Sequence, residues 1–271
     1  MATAQTRDVV TRFKNIPDGA EADLAFAFDG CDILVVAESH LRVSAMYAPK
    51  GWTTVQYVGG VHGRVTIYFK ATRFKLISKS NPLLNEANGL TFPGAKRYAV
   101  NVKLRDMLTG RIHNVEGDHF VPHADNPKVP GAIITTPRGK AAVQPAIKSI
   151  LRRFPVGLVG IDWVVGDFNI DLDADIRHKS RFDMLEQMHS VGLYSDVELV
   201  GAVHDTHGDQ EYDWILLRLI GPRKLWSKRN RVAWVVSHGT GPKRKSDHRD
   251  RWCRVRTTVR RGWKVPAGFH A

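Results

Sequence analysis

The sequence predicts an α+β fold, a two-layer β-sandwich covered by helices on both sides, and three observations carry that reading. Short apolar runs of strand length, rich in Val, Ile and Phe, recur along the chain: Ile33 to Ala37, Val65 to Phe69, Tyr98 to Leu104, Leu158 to Val165, Trp214 to Leu219 and Val232 to Val236. Only two segments carry helical spacing. Ala141 to Phe154 places Val143, Ile147, Ile150 and Leu151 on one face, and Arg181 to Val191 does the same with Phe182, Leu185 and Met188. These helices fall between strands, the order expected when helices pack outside a layered β core.

A chain of 271 residues, with 43% hydrophobic and 25% charged residues and a mean hydropathy of -0.27, can bury a real core. That composition excludes the disordered, collagen-like and coiled-coil classes. No repeat, low-complexity tract or Pro/Gly/Ser linker interrupts it, so one domain over residues 1-271 is expected, as a monomer. No apolar run approaches the ~18 residues that cross a bilayer, and Asp162 breaks the run from Val156 to Val165. Met1 to Asp8 lacks the apolar core of a secretory signal, and two cysteines are too few for a disulfide framework, so a reducing cytoplasm is the expected compartment. Those cysteines, Cys31 and Cys253, also lack the spacing of a structural zinc site.

The net charge of +13 is confined to one stretch. Residues 222-271 hold fifteen Lys/Arg against Asp247 and Asp250 alone, and residues 1-221 are neutral. Such a one-sided field suits a polyanion. Trp226, Trp234, Trp252 and Trp263 and the alternation in Arg231 to Val236 and Cys253 to Val259 argue for strands carrying arginines outward rather than a loose tail. A nucleic-acid partner is expected, with Lys243, Arg244, Lys245 and Arg249 as its contacts and no membrane involved.

Three stretches carry chemistry. Trp163-Val164-Val165-Gly166-Asp167-Phe168-Asn169 is an apolar strand ending in a turn that presents an acid and an amide two residues apart. Asp167 can orient or deprotonate a water while Asn169 donates to a phosphoryl oxygen, as phosphodiester hydrolysis requires. Asp32-Ile33-Leu34-Val35-Val36-Ala37-Glu38 ends another strand in a single carboxylate, a natural hard ligand for Mg²⁺. Ser246-Asp247-His248-Arg249 places an acid beside a histidine inside the basic region.

Together, and in this order, these stretches and Tyr212-Asp213-Trp214-Ile215-Leu216 resemble the endonuclease/exonuclease/phosphatase superfamily of DNase I-like and exonuclease III-like enzymes, over roughly Asn15 to Val259. The resemblance implies a four-layer fold and a site of defined roles. Glu38 would be the principal ligand of Mg²⁺, for which Mn²⁺ substitutes, with Asp247 as the outer metal ligand. Asn15, in Phe13-Lys14-Asn15-Ile16, would help hold the metal, although the apolar strand and aromatic residue usual before that asparagine are replaced by Thr11-Arg12-Phe13-Lys14. Asp167 would position the attacking water, Asn169 contact the phosphate, and His248 face the phosphate with Asp213 orienting it. The family's middle-strand histidine matches His119 in Asp118-His119-Phe120 better than His123 in Pro122-His123-Ala124, and both stay candidates. The expected function is a Mg²⁺-dependent nuclease acting on DNA, with RNA also open. The competing readings are a phosphomonoesterase or lipid/inositol phosphate phosphatase, and a catalytically silent nucleic-acid-binding module. The short segment from Ile170 to Ser180 argues against specialisation for abasic sites.

Overall fold

The computed structural model describes residues 6-17, 22-38, 48-56, 64-86, 96-120, 143-154, 160-169, 186-195, 212-219, 233-242, 244, 246 and 248-270. Two six-stranded mixed sheets face each other. The first runs β13 (Ala233–Thr240), β14 (Arg251–Thr258), β1 (Thr6–Asn15), β2 (Ile33–Ala37), β4 (Val65–Lys70), β3 (Trp52–Gln56). The second runs β11 (Tyr194–Ser195), β12 (Asp213–Leu219), β10 (Ile161–Asp167), β9 (Ile112–His119), β8 (Val100–Asp106), β5 (Phe74–Ser80). A small hairpin pairs β6 (Leu83–Asn85) with β7 (Arg97–Tyr98).

Each sheet contains the same device. β1 and β2 run parallel, as do β9 and β10, while every other pairing in the two large sheets is antiparallel. The carboxyl ends of both parallel pairs lie at one end of the sandwich, where Asn15 of β1 reaches Asp167 of β10.

The side-chain alternation of strands divides the apolar residues into three layers. Between the sheets, Val9, Phe13, Val35 and Val255 meet Val102, Val115, Trp163 and Ile215. Gly117 allows close approach there, since a Cβ on it would stand 2.6 Å from Val65 Cγ1 and 2.8 Å from Val35 Cγ1. Outside the second sheet, α2 (Gln144–Arg153) packs Ala146, Ile147 and Ile150 on Val164, Phe168, Trp214 and Leu216. Outside the first, the short α1 (Asp23–Ala27) and the turn after it cover Val10, Leu34, Val36 and Tyr68 with Leu24, Ala27 and Phe28.

The end remote from the parallel carboxyl termini is closed by buried charge. Arg73 donates from Nη1 to Asp32 Oδ2 (3.1 Å) and from Nη2 to Asp106 Oδ2 (3.0 Å), bridging the start of β2 to the end of β8. The chain after β14 packs over this end, with Trp263 Nε1 donating to Met107 O at 2.8 Å and His270 N to Thr72 O at 2.9 Å.

Several boundaries differ from the sequence reading. The stretch lacking the expected apolar strand before Asn15 is nonetheless a ten-residue strand, β1, between β14 and β2. Its Arg12 and Lys14 point outward to Asp250 (3.3 Å) and Asp23 (3.9 Å), so charge that looked foreign to a strand is neutralised by distant acids. The run Tyr98 to Leu104 divides at Ala99 between β7 and β8. Of the helix expected over Arg181 to Val191, residues 186-190 are helical and 181-185 lie outside the described residues. The alternation from Cys253 is realised in β14, where Cys253 and Val255 face the core and Arg254 faces solvent.

His113 of β9 is wholly buried between the sheets and accepts a hydrogen bond at Nδ1 from Trp163 Nε1 (3.2 Å). Burial pushes its pKa down to about 4, against about 6.5 in an unfolded chain. As pH falls through about 6.5 the unfolded chain takes up this proton first, so stability declines until the folded group titrates. Over that interval the effect is on the order of 3 kcal/mol. His113→Leu, which leaves the Trp163 donor unpaired, should lower stability at pH 7 yet lose less stability than wild type between pH 7 and pH 4.5 in urea titrations; equal losses would assign the slope to other groups.

Candidate active site

The strand pairings bring the sequence-predicted polar residues to one end of the sandwich. On β1 and β2, Asn15 sits opposite Ala37, and Glu38 is the next residue. On β9 and β10, His119 sits opposite Asp167, and Asp213, the first residue of β12, faces Asp167 from the other side. Asn15 Nδ2 donates to Asp167 Oδ2 at 3.0 Å, joining the sheets directly above their shared core.

Two of these residues adopt left-handed backbone, Glu38 at φ 61° and Asn169 at φ 52°. Such conformations are uncommon outside glycine and cluster at functional sites. At Asn169 the turn is held by its N–H donating to Asp167 Oδ1 (2.8 Å) and its Nδ2 donating to Phe120 O (3.2 Å). The side-chain amide carries two N–H groups, and one serves Phe120. Glu38 N donates to Arg64 O at 2.9 Å, turning a carboxylate that is 35% exposed toward the rim.

His248 is oriented from below. Its Nδ1 lies 3.0 and 3.1 Å from the two oxygens of Asp213, which is fully buried. Nδ1 therefore carries the donated proton, and Nε2 is directed inward, 3.5 Å from Asn15 Nδ2 and 4.0 Å from Asp167 Oδ2. The backbone around His248 is tied down by residues that sequence reasoning missed. Lys14 Nζ, almost wholly buried, donates to His248 O at 2.6 Å; Asp23 Oδ2 accepts from Ser246 N at 2.9 Å; and Ser246 Oγ donates to Asn15 O at 2.8 Å and accepts from His248 N at 3.1 Å. The signal for Lys14 was its departure from an aromatic residue before Asn15; nothing local marked Asp23.

His119 Nε2 lies 3.3 Å from Glu38 Oε1, without hydrogen-bond geometry, and 3.9 Å from Asp167 Oδ2. Burial first, then Arg97 and His248, hold its pKa well below the usual histidine range, so the ring is neutral. Arg97 of β7, also missed, donates to His119 O (3.3 Å) and Phe120 O (3.0 Å) and places a buried cation behind the carboxylates. Burial lowers its pKa to about 10, against the opposing pull of Glu38 and Asp167, and it stays charged at neutral pH. Asp167 is raised to about 7, by burial first and then by Asp213 and Glu38, against the lowering effects of His248 and the Asn169 N–H.

The donor set suits a hard divalent cation. Asn15 Oδ1 is buried without a hydrogen-bond partner, although its own amide nitrogen is engaged, and Glu38 and Asp167 supply carboxylates whose mutual repulsion a cation would relieve. Asp167, Asp213 and His248 also place ligand-type atoms within 4.8 Å of one another. There the Asp213–His248 hydrogen bond already occupies Nδ1, so that trio is better described as an oriented histidine beside Asp167.

Thus the structure brings Asn15, Glu38, His119, Asp167, Asn169, Asp213 and His248 together. His123, Lys243, Lys245 and Asp247 lie outside the described residues. Arg244 stands with its guanidinium carbon 3.9 Å from the Phe26 ring centroid, on the outer face of the first sheet. Arg249 is half-buried next to His248.

No family model matches the sequence, and no curated protein matches it. Solved structures do. An endonuclease/exonuclease/phosphatase family protein from Bacteroides thetaiotaomicron superposes with a TM-score of 0.62 at 15% identity, covering 95% of this chain and 98% of that one. A mannosyl-6-phosphatase from the same organism gives 0.59 at 14% identity, covering 91% and 99%. D. rerio TDP2 complexed with single strand DNA product gives 0.59 at 13% identity, covering 92% and 98%. The chain therefore has the DNase I-like fold of the endonuclease/exonuclease/phosphatase proteins.

If Asp213 and His248 act as one unit, Asp213→Ala, His248→Ala and the double variant should show similar losses in any hydrolysis that the wild-type chain performs, since groups acting together contribute non-additively. Strictly multiplicative losses would separate them.

Proposed function

We propose that this chain is a metal-dependent phosphodiester hydrolase, specifically a Mg²⁺-dependent nuclease acting on DNA. The observation that carries the reading is the meeting, across two sheets, of an amide oxygen without a partner, three carboxylates and an Asp-oriented histidine. A scaffold has no physical need for this cluster, because burying acids together costs stability unless a ligand compensates.

Asn15, Glu38 and Asp167 would hold the cation, which when bound neutralises phosphate charge and stabilises the leaving oxygen. The remaining chemistry belongs to the chain. Asp167 orients the attacking water, and the second amide N–H of Asn169 donates to a non-bridging phosphoryl oxygen. His248, held by Asp213, presents Nε2 to the phosphate, and Lys14, Asp23 and Ser246 fix the backbone that carries it. His119 packs as a neutral ring between Glu38 and Asp167.

The surplus of basic residues in 222-271 favours nucleic acid over small phosphate esters. The fold alone does not choose between them, since neighbours of the same architecture include a mannosyl-6-phosphatase and a protein bound to a DNA product.

The test is incubation of the purified chain with Mg²⁺ and supercoiled, linear, single-stranded and abasic DNA, RNA and inositol phosphates. Nucleic acid should be cleaved, EDTA should abolish cleavage, and Glu38→Ala should reduce it by orders of magnitude with its melting temperature maintained. Cleavage of inositol phosphates alone would transfer the reading to a phosphatase, and undiminished activity in EDTA would remove the metal.

A further inference from the structure

The outer face of the first sheet is built differently on its two halves. Over β1, β2 and β4 it is apolar and capped by α1 and the following turn. Over β14 and β13 it carries Trp252, Arg254, Arg256 and Trp234, and no described helix lies on it. Among these, Arg256 is paired with Asp8 (2.6 Å), while Arg254 is exposed.

At the border between the halves lies a cleft of about 280 Å³ whose lining includes Arg12, Phe26, Asp250, Trp252 and Arg244. Two aromatic side chains line it. Trp252 packs its indole closely against Gly239, where a Cβ would stand only 3.1 Å from its Cζ2 and 3.3 Å from its Cε2. Phe26 projects from α1 with 46% of its surface exposed, and Arg244 stacks over its ring at 3.9 Å.

Four of the cleft's charges are paired, Arg12 with Asp250 at 3.3 Å and Lys14 with Asp23 at 3.9 Å, and one acid, Asp29, and one base, Arg244, line it besides. Its walls are thus aromatic and polar rather than strongly cationic. The cations stand on the same strand and its approach, with Arg249 before the cleft and Arg254 beyond it. At ~3.4 Å per residue, β14 carries this line for about 24 Å away from the catalytic end.

We propose that this face binds single-stranded nucleic acid, with a base inserted in the cleft between Trp252 and the Phe26–Arg244 stack and the phosphates following the arginines along β14. Aromatic faces interleaved with arginines are the chemistry of single-strand recognition, because unpaired bases offer π-faces that a duplex keeps stacked. Charge complementarity selects the occupant: Arg244, Arg254 and Arg256 stand on this face and Arg249 at its approach, against the one further lining acid Asp29, with Asp250 already committed to Arg12. The site deepens the nuclease reading and rests on it for its use, since it would carry a flanking strand away from the catalytic end.

The experiment is fluorescence anisotropy of a fluorescein-labelled oligothymidylate with the full chain in EDTA, across a salt series, against a duplex of equal length. Trp252→Met and Phe26→Leu keep apolar volume and remove the ring; each should weaken single-strand binding about tenfold, within the usual worth of one stacked base, and Trp252→Phe should restore most of it. Arg254→Glu should flatten the log-log salt dependence by about 0.7 for each phosphate it no longer neutralises. Wild-type affinity in both ring-removing variants, or equal binding of duplex and single strand, would overturn the proposal. Because EDTA takes hydrolysis out of the measurement, failure here leaves the catalytic reading standing, and absence of hydrolysis on every substrate leaves this face to be judged by its own result.

Discussion

The hydrogen bond from Asn15 Nδ2 to Asp167 Oδ2 ties the ends of two sheets above an apolar core that both of them share. Around that bond every other polar group of the site takes its place. Asn15 must turn its Oδ1 away from Asp167, which leaves that oxygen buried without a partner. Asp167, receiving the amide, sits between Asp213 and His119 because β10 is antiparallel to β12 and parallel to β9. The site is a consequence of strand direction: two parallel pairs, one per sheet, deliver their carboxyl ends to the same edge of one core.

The opposite end explains why that edge stays in register. Arg73 joins Asp32, at the foot of the strand leading to Glu38, to Asp106, at the end of the strand that pairs with β9. Buried ion pairs of this kind add little net stability over apolar packing, but losing one partner leaves a buried charge and is strongly destabilising. They act here to fix one arrangement of the sheets. Between the clamped ends, Gly117 lets β9 approach β2 and β4 closely enough for Glu38 and His119 to meet.

Much of this was legible because the acids and amides follow strong apolar strands within a few residues. Glu38 after Ile33 to Ala37 and Asp167-Phe168-Asn169 after Trp163 to Val165 are local patterns, and the family resemblance pairs Asp213 with His248, which stand 3.0 Å apart. What was not legible depends on partners distant in the sequence. β1 reads as a poor strand because Arg12 and Lys14 are charged, and partners far along the chain, Asp250 for Arg12 and Asp23 and the His248 carbonyl for Lys14, make them tolerable. Lys14 holds the carbonyl of a residue 234 positions away, and Arg97 acts through His119 and Phe120 on another strand. The basic segment read as one patch is divided by the fold, with Arg244 on the outer face near α1 and the chain after Arg260 packed over the remote end.

A bound cation would draw oxygens from both sheets, with His248 beside it rather than bound to it. Crystals grown with Mn²⁺ and measured for anomalous scattering locate that ion directly. One strong peak is expected within coordination distance of Asn15 Oδ1, Glu38 and Asp167, with the Asp213–His248 hydrogen bond intact. A peak coordinated by His248 and Asp213, or none at this end of the sandwich, would contradict it.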